Sequence, residues 1–334
     1  MAVTPQTNTT LEEIAEALLK RDHVCICGHV SPDGDCIGSQ LALRAALVQL
    51  GKDVRVLLAA DAPLERSFAC LPGADELVPA EAFDGRCEVF VQVDAPDAKR
   101  IGEAAAALRA QAPFTITVDH HAVDRRETDL SYTDPDAAST SMLVWELAGH
   151  LGVDRAGDVA ACAYTGLMTD TGRFQYQNAD LRAFRAACEM VEAGADAAAL
   201  SAEFFQRRTL ASIQLEGCAI ANMRLLCDGQ AAVSFVTQRE MAEAGAVKSD
   251  CEQLINVLRS IDGVRIAAML RDEGVHVRGS FRSKDGTDVA AMARRFGGGG
   301  HAAAAGFTLH EPLDKARRTV EKAVCKALGC REGV

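Results

Sequence analysis

The sequence predicts an α/β protein of two domains. A parallel sheet flanked by helices occupies residues 1–194, a helical linker 195–217, and a smaller α+β domain with a mixed sheet 218–330. Three observations predict this. At 334 residues the chain exceeds the length that one hydrophobic core usually organises. In the first half, short continuous apolar runs alternate with helical stretches, as strands buried on both faces do. Beyond Gly194 the pattern changes to strands joined by turn dipeptides.

The elements follow in order. Thr10-Leu11-Glu12-Glu13 has capping-box spacing and starts an amphipathic helix to about Lys20. Strands are expected at 24–28, 54–59, 88–93 and 114–118, and helices at about 37–50, 99–110, 139–152, 157–168 and 180–193. In a parallel sheet of this kind ligands bind beyond the carboxyl ends of the strands. In the second domain, hairpins are expected over 218–236, turning at Asp228-Gly229, and over 264–282, turning through Asp272-Glu273-Gly274. A helix at 287–296, a glycine run, a strand near 305–309 and a last helix at 312–328 complete the chain.

The formal net charge of −12 argues against coating long or duplex nucleic acid, which needs many basic contacts to phosphate. Short phosphorylated ligands gripped at one site remain open. No secretory leader pattern is visible, and no apolar run approaches the roughly 20 residues that span a bilayer. The twelve cysteines are scattered without a CxxC pair, several within apolar segments, and read as reduced buried thiols. A cytoplasmic protein without a membrane partner is expected.

Several predicted strands end in acids or histidines. The first opens into His29, Asp33 and Asp35; the third ends at Asp94; the fourth runs into Asp119-His120-His121; and the helix at 157–168 leads to Asp170. One such residue is usually a helix cap or a surface group, but here they accumulate at the end of a single parallel sheet. Five carboxylates gathered in one crevice repel each other unless cations compensate them. Two divalent ions answer the charge, and a set of oxygen and imidazole donors suits manganese, or magnesium or iron, better than zinc. Such a pair about 3.5–4 Å apart activates water and stabilises the oxygens at phosphorus. Cys36 reads as a small buried thiol beside this site.

In the second domain, Val275 to Arg282 alternates, with His276, Arg278, Ser280 and Arg282 on one face. Lys284, Arg294 and Arg295 lie nearby in an otherwise acidic chain. The following Gly297-Gly298-Gly299-Gly300-His301 reads either as a flexible loop or as a nest of backbone amides for a phosphate.

These motifs resemble those of the DHH-family phosphoesterases, named for the triplet present here as Asp119-His120-His121. HVSPDGDCIGS, VQVDAPD, VDHH and MTDTGRF match the four metal motifs in order, and FGGGGHAAAAGF at 296–307 resembles the signature of the type 1 DHH-associated domain. Within that superfamily the chain is most similar to nucleases of short oligoribonucleotides that also act on 3′-phosphoadenosine 5′-phosphate (pAp). The resemblance implies that His29 and Asp33 hold one ion, that Asp35, His120 and Asp170 hold the other, and that Asp94 bridges them. It implies that Asp119 orients an imidazole and that His121 stabilises the scissile phosphate or assists its leaving group. Arg278, Arg282, Gly298, Gly299, Gly300 and His301 would bind the substrate, short single-stranded RNA, a dinucleotide or pAp. A phosphodiesterase of cyclic or linear dinucleotides is the rival enzyme, and a nucleotide-binding regulator the rival from another class. A homodimer is compatible with all of these readings.

Overall fold

The computed structural model describes residues 7–62, 64–122 and 125–330, and divides into two compact units, the first ending at Gln206 and the second starting at Arg207. In the first unit, α1 (Leu11–Leu19) carries the expected capping box: Thr10 accepts from the Glu13 amide, and the Glu13 side chain returns to the Thr10 amide. Strands β1 (Val24–Cys27), β2 (Val54–Leu58), β3 (Val78–Pro79), β4 (Val89–Val93), β5 (Phe114–Asp119) and β6 (Leu130–Thr133) form one parallel sheet in the order β3-β2-β1-β4-β5-β6.

β1 and β4 are buried along their whole length because both faces of the sheet are covered. Val24, Ile26, Val89 and Val91 face the larger cluster, which includes side chains of α1, α2 (Gly34–Gln49), α4 (Thr140–His150), α5 (Asp158–Asp170) and α6 (Leu181–Glu192). Cys25, Cys27 and Phe90 face a smaller cluster with Ile101 and with Ala105 of α3 (Gly102–Gln111). Alternation along the strand thus sends successive side chains into two different cores.

The strand order reverses between β1 and β4, the point where an open parallel sheet leaves a crevice beyond its carboxyl edge. Cys27 pairs with Gln92, and Val93 with Val118, so His29, Asp94 and Asp119 emerge at one level. Helix α2 starts at Gly34, earlier than the apolar pattern implied, because Asp33 caps it. It crosses α5 closely. A Cβ on Gly38 would lie 2.6 Å from the Cys162 carbonyl oxygen, and one on Gly166 would lie 2.7 Å from Asp35 Oδ1. Glycine at both positions lets α5 approach near enough to bring Asp170 to the strand ends.

The second unit has a six-stranded mixed sheet in the order β11-β12-β10-β9-β8-β7, built from β7 (Arg224–Leu226), β8 (Ala231–Val236), β9 (Ile266–Asp272), β10 (Val277–Ser283), β11 (Gly299–His301) and β12 (Ala304–Leu309). Only β8 and β9 pair in parallel. One face is covered by α11 (Val289–Arg294) and α12 (Leu313–Leu328), the other by α8 (Leu210–Ala221), α9 (Gln238–Ala244) and α10 (Leu254–Ser260).

Several details differ from expectation. Residues 218–221 finish α8, so the first hairpin has a three-residue opening strand; its turn lies at Asp228-Gly229, both at positive φ as a tight hairpin turn requires. β6, α9 and α10 are additional elements. Of the segment 195–217, α7 (Ala197–Phe205) contributes Leu200 to the core of the first unit, and α8 contributes Leu215 to that of the second. Among the described residues no helix is long and apolar enough to cross a membrane.

Candidate metal centre

The side chains reach the crevice from the ends of β1, β4 and β5, from the start of α2 and from the end of α5. His29 follows β1, and its Nδ1–H donates to the Val30 carbonyl at 2.8 Å, which directs Nε2 at Asp94 Oδ2, 3.4 Å away, and at Asp33 Oδ1, 3.7 Å away. Asp33 is also the cap of α2, accepting from the amides of Asp35 and Cys36 at 3.1 and 3.0 Å. The same carboxylate therefore has the ordinary capping role and a place at the rim of the cluster.

Asp94 lies one residue past β4 at φ 53°. Its two oxygens address different imidazoles: Oδ2 faces His29, and Oδ1 faces His120 Nε2 at 3.5 Å and His121 Nδ1 at 3.6 Å. His120 donates Nδ1–H to the Ala137 carbonyl at 3.2 Å and turns Nε2 towards Asp35 and Asp170, both 3.9 Å away. Asp119 is wholly buried, and its Oδ1 accepts from the amides of His120 and His121 and from His121 Nδ1–H at 2.8 Å.

Three groups of donors have their ligand atoms within 4.8 Å of one another: His29, Cys36 and Asp94; Asp94, His120 and His121; and Asp35, His120 and Asp170. Asp94 and His120 each belong to two groups, so the sites overlap. Of the expected acids and imidazoles, Asp33 and Asp119 belong to none of these groups, Asp33 standing at the rim with Oδ1 3.7 Å from His29 Nε2. Cys36 is the buried thiol beside the site that the sequence implied, and its sulfur lies close enough to His29 and Asp94 to stand as a third donor.

The electrostatics show what the assembly lacks. Burial, with the neighbouring Asp94 charge, pushes the Asp35 carboxyl up to about 7. Burial, reinforced by Asp35, Asp33 and Asp94, also carries Asp170 well above the usual carboxylate range despite His120. Burial works against the charged imidazole of His120, yet Asp170, Asp94 and Asp35 raise it to about 10. Crowded carboxylates retain protons where positive charge is short. This donor set fits divalent cations, because backbone carbonyls hold the Nδ1–H groups of His29 and His120 and so turn Nε2 inward as a ligand atom.

Some supporting groups had no distinct signal in the sequence. The amides of Thr140 and Ser141, at the start of α4, grip the Asp35 carboxylate at 2.7 and 2.9 Å, and Thr140 Oγ1 donates to Asp94 Oδ1 at 3.0 Å. Ser139-Thr140-Ser141 before an apolar run does read as a helix start, but not as a grip on an acid a hundred residues away. Asn178 ties α5 to the same region, donating from Nδ2 to the Ala138 carbonyl at 3.0 Å, the Asp170 carbonyl at 3.2 Å and Asp170 Oδ2 at 3.4 Å.

In the second unit Arg278, Ser280 and Arg282 share the more open face of β10; Arg278 bonds Thr308 Oγ1 at 3.0 Å, and Arg282 bonds its neighbour's carbonyl at 3.0 Å. Ser280 pairs with Gly306, which pairs with Gly299, so across β10, β12 and β11 the row between the arginines carries only the Ser280 side chain. The glycine run, open between a flexible loop and a nest of amides, is in part an edge strand. The Gly298 amide donates to the Ala293 carbonyl at 2.9 Å, closing the end of α11, while Gly299 and Gly300 run into an edge strand. A Cβ on Gly298 would lie 2.1 Å from the Gly306 carbonyl oxygen, so close packing is reason enough for glycine there. The side chain of His301 lies outside the described residues.

Residues 23–167 match the DHH family, N-terminal domain, and residues 228–326 match the DHHA1 domain. The chain is 32% identical over 307 residues to the bifunctional oligoribonuclease and PAP phosphatase NrnA of Thermus thermophilus, covering 91% of this chain and 90% of that one. It is 27% identical over 319 residues to the Bacillus subtilis protein of the same name, covering 94% and 98%. A solved structure of an exopolyphosphatase-related protein from Bacteroides fragilis matches with a TM-score of 0.88 and 26% identity, covering 97% of this chain and 98% of that one.

Proposed function

The chain belongs to the DHH family of phosphoesterases, hydrolases of phosphoester bonds, and from that premise we propose that it cleaves short oligoribonucleotides to mononucleotides and removes the 3′-phosphate of pAp. His29 and Asp33 would hold one divalent ion and Asp35, His120 and Asp170 a second, with Asp94 shared. The observation that supports this most is the pair of oxygens on Asp94, each turned to a different imidazole. The mixed imidazole and carboxylate set favours manganese, with magnesium and iron as alternatives. Two such ions there would activate a water at neutral pH and offer positive charge to the oxygens at phosphorus.

The chain's own groups do the rest. Asp119 fixes His121 with its proton on Nδ1, which leaves Nε2 as the nitrogen that exchanges a proton with the leaving oxygen or stabilises the phosphate. The His121 side chain is 14% exposed against 6% for His120, so it is the imidazole of the pair that a substrate reaches. In the second unit, Arg278, Arg282, Gly299, Gly300 and His301 would receive a nucleotide phosphate along the row between the arginines.

A panel of a linear diadenylate, pAp and cyclic di-adenylate, each with manganese, tests the substrate assignment. Adenosine monophosphate should appear from the first two, with at least tenfold lower turnover of the cyclic compound. Preference for the cyclic dinucleotide would overturn the assignment and leave the phosphoesterase class standing.

A further inference from the structure

Cys36 stands in the first turn of α2, and its Sγ, a ring nitrogen of His29 and a carboxylate oxygen of Asp94 all lie within 4.8 Å of one another. All three residues are buried. Asp33, the oxygen donor expected beside His29, gives one oxygen, Oδ1, to two amides of α2, and its side chain is 61% exposed. The thiol is thus the more enclosed donor. The fold makes room for it, since a Cβ on Gly28 would lie 2.2 Å from the sulfur. A second group converges there as well. Gln40 is 1% exposed, its Nε2 lies 3.5 Å from Sγ, and its Oε1 has no hydrogen-bond partner. A buried amide oxygen left without a partner is costly to the fold, so the surroundings of the sulfur are polar and not fully satisfied.

We propose that His29, Cys36 and Asp94 form a cation site for thiophilic divalent ions of the zinc and cadmium type, and that an ion held there displaces the one that His29 and Asp94 share with Asp33 during turnover. The inference rests on His29 and Asp94 being ligands of the catalytic centre. Sulfur, nitrogen and oxygen together select a softer ion than the carboxylate set with Asp33 does. The 3.4 Å between His29 Nε2 and Asp94 Oδ2 lies in the donor spacing of roughly 3.3–3.8 Å that bonds of about 2.0–2.3 Å give around a tetrahedral ion. Binding replaces the S–H bond by a bond from sulfur to the metal and releases one proton to water, with no oxidant.

The test is a titration of cadmium chloride into the manganese-loaded wild type, Cys36→Ala and Cys36→Ser, after alkylation of the native proteins to silence exposed thiols such as Cys70 and Cys188. Near-ultraviolet absorption from cadmium bound to thiolate should rise to one equivalent per chain in the wild type and be lost in both variants. The cadmium concentration that halves hydrolysis of a diadenylate, taken against each protein's own cadmium-free rate, should rise at least tenfold in the variants. Serine keeps the volume of the thiol and guards against a collapsed pocket. Equal absorption and equal inhibition in all three proteins would overturn the site. A wild type that is inert with manganese but gives the Cys36-dependent absorption would instead overturn the proposed function and leave the thiol site standing.

Discussion

Asp94 holds φ at 53°, in the left-handed region that an aspartate enters at a cost of roughly 1–3 kcal/mol. Its amide donates to the Val118 carbonyl at 3.2 Å and secures that turn, from which the two carboxylate oxygens diverge towards His29 and His120. Asp119 acts differently, because its Oδ1 gathers three donors and holds His121 in one tautomer. Asp119→Asn should therefore lower kcat roughly 10–100-fold, the usual loss for a group that orients another at a metal site, while manganese binding measured by calorimetry stays close to wild type. Loss of manganese binding in step with kcat would show that Asp119 supports the ligands rather than His121. At this scale the acids and imidazoles were legible because they punctuate strand ends. The grips of Thr140 and Ser141 were not, because they act through backbone amides that every residue has. The Cys36 sulfur was legible as a buried thiol beside the site, while its nearness to His29 in particular depends on how α2 turns out of its cap.

Among elements, the start of α4 and the crossing of α2 with α5 position the centre. The first amides of α4 face the Asp35 carboxylate, the favourable end of the helix for an anion. Gly166 on α5 leaves room for this: a side-chain carbon there would lie 2.4 Å from Ser141 Oγ and 2.7 Å from Asp35 Oδ1. Gly166→Ala should destabilise the fold by about 1–3 kcal/mol, the usual cost of overpacking, and weaken manganese binding in the same protein. A variant with unchanged melting temperature and unchanged affinity would mean that the helices yield freely. The buried strands of the first unit were legible as continuous apolar runs. β6 was not, since Leu-Ser-Tyr-Thr is short and half polar and becomes a strand by pairing with β5 at the sheet edge. The glycine run was legible as unusual but not as an edge strand, because its pairing with β12 lies in the backbone alone.

For the whole molecule, the buried acids tie stability to pH. A carboxyl such as Asp35, raised to about 7 on folding, takes stability away as pH climbs from about 4 towards 7. His120, raised to about 10, contributes stability below about 6.5 and loses it as pH climbs towards 10. Both act in one direction, so the cation-free protein should melt at progressively lower temperature from pH 5.5 to 8.5. Cations that neutralise the cluster should widen the gap between loaded and cation-free melting temperatures over that range. A gap independent of pH would mean that ions bind elsewhere. The central claim is that the first unit holds two divalent ions through a shared carboxylate, and manganese content per chain after equilibrium dialysis tests it most directly. Two ions are expected in the wild type and fewer than one in a folded Asp94→Ala. Two ions in both proteins, or none in the wild type, would contradict it.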